Sequence, residues 1–149
     1  MDKFDKKIVQ KLERDSRISY SKLADDIGLS KTPCWQRVKH LEATGVILSY
    51  TTELDYEKLG FEINAVVFVV IDFEKSEQFE TSVQSHRSII RCAAVTGDYD
   101  YLLEVVAKNM REFDNLLRKE LSRLPGVQRF NTSLSTREVK QSFVISDLL

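Results

Sequence analysis

Residues 65–71, AVVFVVI, are apolar at every position, and this run limits what the chain can become more than any other stretch. It is far shorter than the roughly 20 apolar residues a membrane-spanning helix needs, so it reads as a strand. A strand with one face in water alternates apolar with polar side chains; one that is apolar throughout is shielded on both faces. The flanking pattern supplies the rest of a small sheet. Residues 63–73 form the strand itself. Residues 76–85 have helical spacing with Phe79 and Val83 on one face, and residues 89–96 are again strand-like. GDYD makes a turn, residues 101–107 return, and residues 110–124 form a helix facing inward through Phe113, Leu116, Leu117, Leu121 and Leu124. Residues 127–134 are the last strand. This β-α-β-β-α-β order predicts a ferredoxin-like antiparallel sheet with both helices on one face. Two covers are then open for the other face: the same sheet of a second copy, which also provides two-fold symmetry, or the amino-terminal helices folding back.

The amino-terminal half changes to helical periods. Phe4, Ile8, Val9 and Leu12 follow Asp2 as a cap, predicting a helix over residues 3–14. Ser19 caps a second short helix carrying Leu23, Ala24 and Ile27, which Gly28 stops. After Leu29, Ser30 offers another cap, Pro33 sits in a first turn where its missing N–H costs little, and Cys34, Val38 and Leu41 form an inward stripe ending at Gly45. Two short helices joined by a Gly-containing turn match a helix-turn-helix, although an ordinary helical hairpin has the same geometry. Residues 46–54, VILSYTTEL, switch to a β-rich pattern, predicting a short strand pair as a wing. Residues 55–59 add a helical turn before Gly60. The expected division is a helix-turn-helix domain over 1–50, a hinge over 51–62 and a sensing and oligomerisation domain over 63–149. The fold class is α+β.

The outward face of the third helix tips the choice toward DNA. Between Lys31 and His40 there are three cations, Lys31, Arg37 and Lys39, and no acid. Ser30 at the helix start and Lys31, Thr32, Trp35, Gln36 and Lys39 away from the apolar stripe make the candidate DNA-facing set. Gln pairs with adenine and Lys with guanine in the major groove, and cations neutralise phosphates. Trp35 has two readings: contact with a thymine methyl or sugar, or packing on the neighbouring helix.

Composition narrows the alternatives. Net charge is −1, with 11 Lys/Arg against 10 Asp/Glu in residues 1–60 and 11 against 13 afterwards, so any nucleic-acid role rests on local clustering. Cys34 and Cys92 are too few for a disulfide framework or a thiolate zinc site. With no membrane-length apolar run and no secretion signal, a reducing cytoplasmic setting, near the nucleoid, is expected. His40 and His86 lack catalytic companions at motif spacing and there is no phosphate-binding glycine loop, so neither a catalytic set, a metal site nor a cofactor is expected. An RNA-binding sheet is disfavoured because the apolar run carries one aromatic, Phe68, and no basic companions. A regulatory module acting on a protein partner stays open as the alternative function.

Four segments together resemble the Lrp/AsnC, or feast/famine, regulators: LADDIGLSKTPCWQRVKHLEATGVI, SYTTELDYEKLGF, TGDYDYLLEVV and LPGVQRFNTSLSTREVK. The likeness covers nearly the whole chain in order. It implies a winged helix-turn-helix, a hinge, and an effector domain that pairs as a dimer and often assembles to tetramers or octamers. It also implies a small effector, usually an amino acid, bound between dimers at the segment matching Thr96, Gly97, Asp98, Tyr99 and Asp100. Lys31, Thr32, Trp35, Gln36 and Lys39 match the recognition face; Trp35 departs from the commoner aliphatic residue. The loop suits a zwitterion: Gly97 permits a turn that exposes amides for a carboxylate, and Asp98 or Asp100 accepts an ammonium. Taken alone, GDYD is ordinary hairpin chemistry. Ser133 and Ser135 on the last strand are candidates to complete the pocket. The expected function is a sequence-specific regulator of transcription, acting on double-stranded DNA under control of that effector.

Overall fold

A computed structural model describes residues 1–140 and 144–149. The chain divides into two compact units, one of Met1–Glu53 with Lys140–Leu149 and one of Leu54–Val139. The sequence reading assigned residues 140–149 to the second domain; the structure groups them with the first.

The first unit contains α1 (Lys3–Arg14), α2 (Tyr20–Ile27) and α3 (Lys31–Ala43). The Asp2 carboxylate caps α1 by accepting the N–H groups of Phe4 and Asp5 at 2.8 and 3.0 Å, while Asp5 accepts the Asp2 N–H at 2.9 Å. Gly28 adopts φ +77° and closes α2, as its sequence position suggests. Ser30 occupies the cap position of α3 with extended backbone but makes no side-chain cap bond, contrary to expectation. Ile8, Leu12, Leu23, Ala24, Ile27, Cys34, Val38 and Leu41 form the buried core, with Ile47 packed against it.

Residues 46–54 form no strand, which corrects the expected wing. They are β-prone but hold no Gly, Pro or Asn-Gly at which nine residues could fold back on themselves, so the segment has nothing to pair with inside its own unit. Leu48 is left 89% exposed. The helical turn over residues 55–59 is present, with the Leu59 N–H donating to the Asp55 carbonyl.

The second unit contains β1 (Ile63–Ile71), α4 (Ser76–Ser85), β2 (Ile89–Ala94), β3 (Tyr101–Ala107), α5 (Met110–Lys119) and β4 (Val127–Leu134). The sheet order is β2-β3-β1-β4 and each neighbouring pair is antiparallel, the ferredoxin-like arrangement. Ala65, Val67, Val69 and Ile71 are buried against Phe79 and Val83 of α4 and Phe113 and Leu116 of α5. Val66, Phe68 and Val70 point to the other face and are half-buried. Three elements are shorter than expected, among them β2, which was expected to reach residue 96 and ends at Ala94. β1 ends at Ile71, where a register shift leads into a 3-10 turn capped by Asp72, and α5 stops at Lys119 before a 3-10 turn over Leu121–Arg123 and Pro125.

The carboxy-terminal segment lies along α1. Both oxygens of Glu13 accept backbone N–H groups, those of Ile145 and Ser146, at 2.9 Å each. Gln10 donates to the Ser146 carbonyl at 3.1 Å, Lys6 to the Leu149 carbonyl at 2.9 Å, and Arg14 pairs with Asp147 at 2.5 Å. Ser146 is 1% exposed. Burial pushes the Glu13 carboxyl up, but the hydrogen bonds from Ser146 and Ile145 outweigh it and hold the group below its ordinary value of 4.5. Glu13 therefore stabilises the unit fully above that ordinary value, and the contribution fades as pH falls through the lowered one. Glu13→Gln should cost about 1 kcal/mol at neutral pH and expose the Ile145 and Ser146 amides to hydrogen exchange. Its urea midpoint should converge on the wild type in acid. Equal midpoints at pH 7 would show the contacts to be incidental.

Candidate nucleic-acid interface and effector loop

On α3, Cys34, Val38 and Leu41 are buried, so the helix has one inward stripe and a wide outward face. Ser30, Lys31, Thr32, Trp35, Gln36 and Lys39 are all exposed. Trp35, whose two readings the sequence left open, is 46% exposed, so its ring is not packed away on a neighbouring helix. The face thus presents an indole, an amide and two ammonium groups within three helical turns.

The third cation of the cluster is used elsewhere. Arg37 Nη1 lies 2.8 Å from both Asp2 and Asp5, and its guanidinium stacks 5.4 Å from the Phe4 ring centroid. The Asp5 and Asp2 hydrogen bonds stabilise the charged guanidinium, and the Asp5 backbone with Arg37 lowers the Asp2 carboxyl. Arg37 ties α3 to the start of α1 instead of facing a duplex. Lys39 Nζ sits 2.7 Å from Glu42, and Glu42 also accepts the Tyr50 hydroxyl at 2.9 Å. Sequence reasoning missed these acids because it counted charges only as far as His40, and Asp2 and Asp5 lie more than thirty residues upstream.

In the second unit, the loop after β2 is held at both ends. The Val95 N–H donates to the Asp100 carbonyl, and the Asp100 N–H to the Val69 carbonyl, each at 2.9 Å. One Asp100 carboxylate oxygen accepts the Ile71 N–H at 2.9 Å, filling the gap where the β1 register shifts. Gly97 has φ +115°, a conformation that a side chain would strain. The Tyr99 ring packs 5.3 Å from Phe68, and the Arg129 guanidinium lies over the Tyr99 ring, 5.2 Å from its centroid, while donating to the Asp98 carbonyl at 3.3 Å. Arg129 was not singled out from the sequence; its register opposite Val70 on β4 is the signal, visible once β1 and β4 are paired. Asp98 itself is exposed.

Ser133 pairs with Val66, four positions along β4 from Arg129, or roughly 13 Å at strand spacing, and the Ser135 N–H donates to Asn64 farther still. Within one chain, neither serine is brought to the loop that holds Thr96, Gly97, Asp98, Tyr99 and Asp100. Among the described residues, no group of three His, Cys, Asp or Glu is disposed to hold a metal ion, and no helix is long and apolar enough to cross a membrane.

Residues 1–42 match the AsnC-type helix-turn-helix domain and residues 64–145 the Lrp/AsnC ligand binding domain. The chain belongs to the Lrp/AsnC family. It is 40% identical to the leucine-responsive regulatory protein of Escherichia coli K12 over 147 residues, covering 95% of this chain and 88% of that protein. Among solved structures it resembles a Neisseria meningitidis transcriptional regulator in complex with L-Met, with TM-score 0.93, 31% identity, and 100% and 99% of the two chains covered. An AsnC family transcriptional regulator from Agrobacterium tumefaciens superposes with TM-score 0.89 at 26% identity, covering 97% and 96%. As an Lrp/AsnC transcriptional regulator, the chain carries a helix-turn-helix DNA-binding domain and a ligand-binding domain, and the relatives named are regulators.

The two loop acids of this family member should separate in their effects on folding. Asp100→Ala strands the Ile71 N–H in a part-buried site and should destabilise the second unit by about 1–3 kcal/mol. Asp98→Ala should stay within about 0.5 kcal/mol of wild type. Urea unfolding of both variants checks this, and equal stability of the two would remove the structural role given to Asp100.

Proposed function

We propose that the protein regulates transcription by binding specific sites on duplex DNA as a homodimer through Ser30, Lys31, Thr32, Trp35, Gln36 and Lys39, under the control of an amino acid held at the Thr96–Asp100 loop. The observation that carries the DNA assignment is the division of α3 into a buried apolar stripe and an exposed face bearing Trp35, Gln36 and Lys39. On this reading Gln36 and Lys39 meet base edges, Lys31 meets phosphate and Trp35 lies against a methyl or sugar.

For the effector, Gly97 and Thr96 offer backbone amides to a carboxylate and Asp98 offers the open acceptor to an ammonium, since Asp100 is already bonded to Ile71. Binding of L-Met by the similar Neisseria regulator supports an amino acid as the class. Ser133 and Ser135 would contribute from another copy, a reading that favours an effector site between protomers and a link between binding and tetramer or octamer assembly. The dimer itself forms where Val66, Phe68 and Val70 line a sheet face that no element of this unit covers. Such a protein works in the cytoplasm, associated with the nucleoid, and turns over no substrate.

Lys39→Ala and Gln36→Ala should each weaken binding to an in-vitro-selected duplex by about 10-fold, the range of one good base contact, with no change in sedimentation. Wild-type affinity in both variants would remove α3 from the interface. A thermal-shift screen of the twenty amino acids tests the sensor: at one hundred times Kd, a ligand stabilises by about 2.7 kcal/mol. Twenty flat melting curves would reject an amino-acid effector.

A further inference from the structure

The recognition face carries less net charge than its sequence suggests. Of the cations on α3, Arg37 is neutralised by Asp2 and Asp5 and Lys39 by Glu42, so among the described residues Lys31 is the one without an ion pair. An exposed i,i+3 pair is by itself weak. Glu42 differs because both of its oxygens are engaged, one by Lys39 Nζ at 2.7 Å and the other by the Tyr50 hydroxyl at 2.9 Å. Burial and the Glu42 carboxylate push the Tyr50 phenol up to about 12, so the hydroxyl remains a donor across the physiological range.

We propose that Glu42, pinned by Tyr50, is a specificity-determining residue that acts through Lys39, positioning its ammonium for a base edge and penalising contact with phosphate. The inference rests on α3 being the DNA-facing helix. An ammonium has three N–H donors; with one on Glu42, the others can still reach a guanine N7 or O6. A phosphate drawn to the same ammonium comes close to the Glu42 carboxylate, and like charges repel. A neutral base-edge acceptor suffers no such repulsion. Glu42 therefore weakens the sequence-independent part of binding more than the sequence-dependent part, and the bond from Tyr50 keeps the carboxylate from swinging away.

The test uses the full-length protein, a duplex recovered by in vitro selection and a scrambled duplex of equal length, titrated across a range of salt. Glu42→Gln should tighten binding to the scrambled duplex by about 5- to 10-fold at low salt, steepen the slope of log affinity against log salt by about 1, and lower the selected-to-scrambled ratio. Tyr50→Phe should move all three in the same direction by less. In a Lys39→Ala background, Glu42→Gln should change none of them. Equal weakening on both duplexes, or an unchanged slope with a folded Glu42→Gln protein, overturns the proposal and leaves Glu42 a merely structural residue. If the wild type itself does not distinguish the two duplexes, the DNA-binding reading fails first, so the two failures are told apart by the wild-type titration alone.

Discussion

The second unit is organised around β1, which lies in the middle of its sheet and is apolar on both faces, yet is covered by its own helices on only one. Ala65, Val67, Val69 and Ile71 meet Phe79, Val83, Phe113 and Leu116, and this packing fixes the register of β3 and β4 against β1. At about 25 cal/mol per Å² of apolar surface, the part of Val66, Phe68 and Val70 left in water forgoes some stabilisation, which the proposed second copy would recover. In the proposed dimer, the surface that would pair two copies belongs to the strand that also folds the unit. The same register brings Arg129 opposite Val70, and Asp100 bonds to Val69 and Ile71, so the β2–β3 loop that carries the candidate ligand groups is anchored on the end of the central strand.

Electrostatics in the first unit follow a different rule, because two of the three Lys/Arg cations of α3 are met by an acid of their own chain. Asp2 and Asp5 do two things at once: they cap α1 and hold Arg37. A DNA-binding helix balanced in this way draws little on long-range attraction to phosphate, which fits the overall charge of −1. On the proposed reading, affinity would come from base contacts, the exposed Trp35 surface and the joint engagement of linked protomers. For a regulator this has a physical advantage, since a weak sequence-independent term leaves the specific contacts to decide occupancy.

Legibility in the sequence depended on whether a feature was local. α1, α4, β3 and β4 have the bounds expected from period, caps and turns, since each is set by residues within one element. The burial of Cys34, Val38 and Leu41 and the exposure of their neighbours were equally readable from one helical period. Residues 46–54 misled because β propensity describes a side chain's fit to a pleated surface and says nothing about whether a partner strand exists. Arg37 was counted as a cation for DNA because its partners are distant in the chain. Ser133 and Ser135 were candidates to complete the pocket, and the antiparallel register sets them along β4 away from the loop of the same chain, a relation that only strand pairing reveals.

The docking of the carboxy-terminal segment on α1 was beyond sequence reasoning for a chemical reason. Glu13, Gln10 and Lys6 bind backbone amides and carbonyls of residues 145–149, which every residue type presents, so only the Arg14–Asp147 pair leaves a side-chain signature. With these contacts counted, α1 is engaged on more than its apolar face. Ile8 and Leu12 enter the core, Asp2 and Asp5 set Arg37 of α3, and the outer polar residues hold a segment that the chain reaches only after leaving the second unit at Val139. The orientation of α3 therefore depends on α1 as much as on its own apolar stripe. A change that loosens α1 would therefore reach the proposed DNA-facing side chains of α3 without touching any of them.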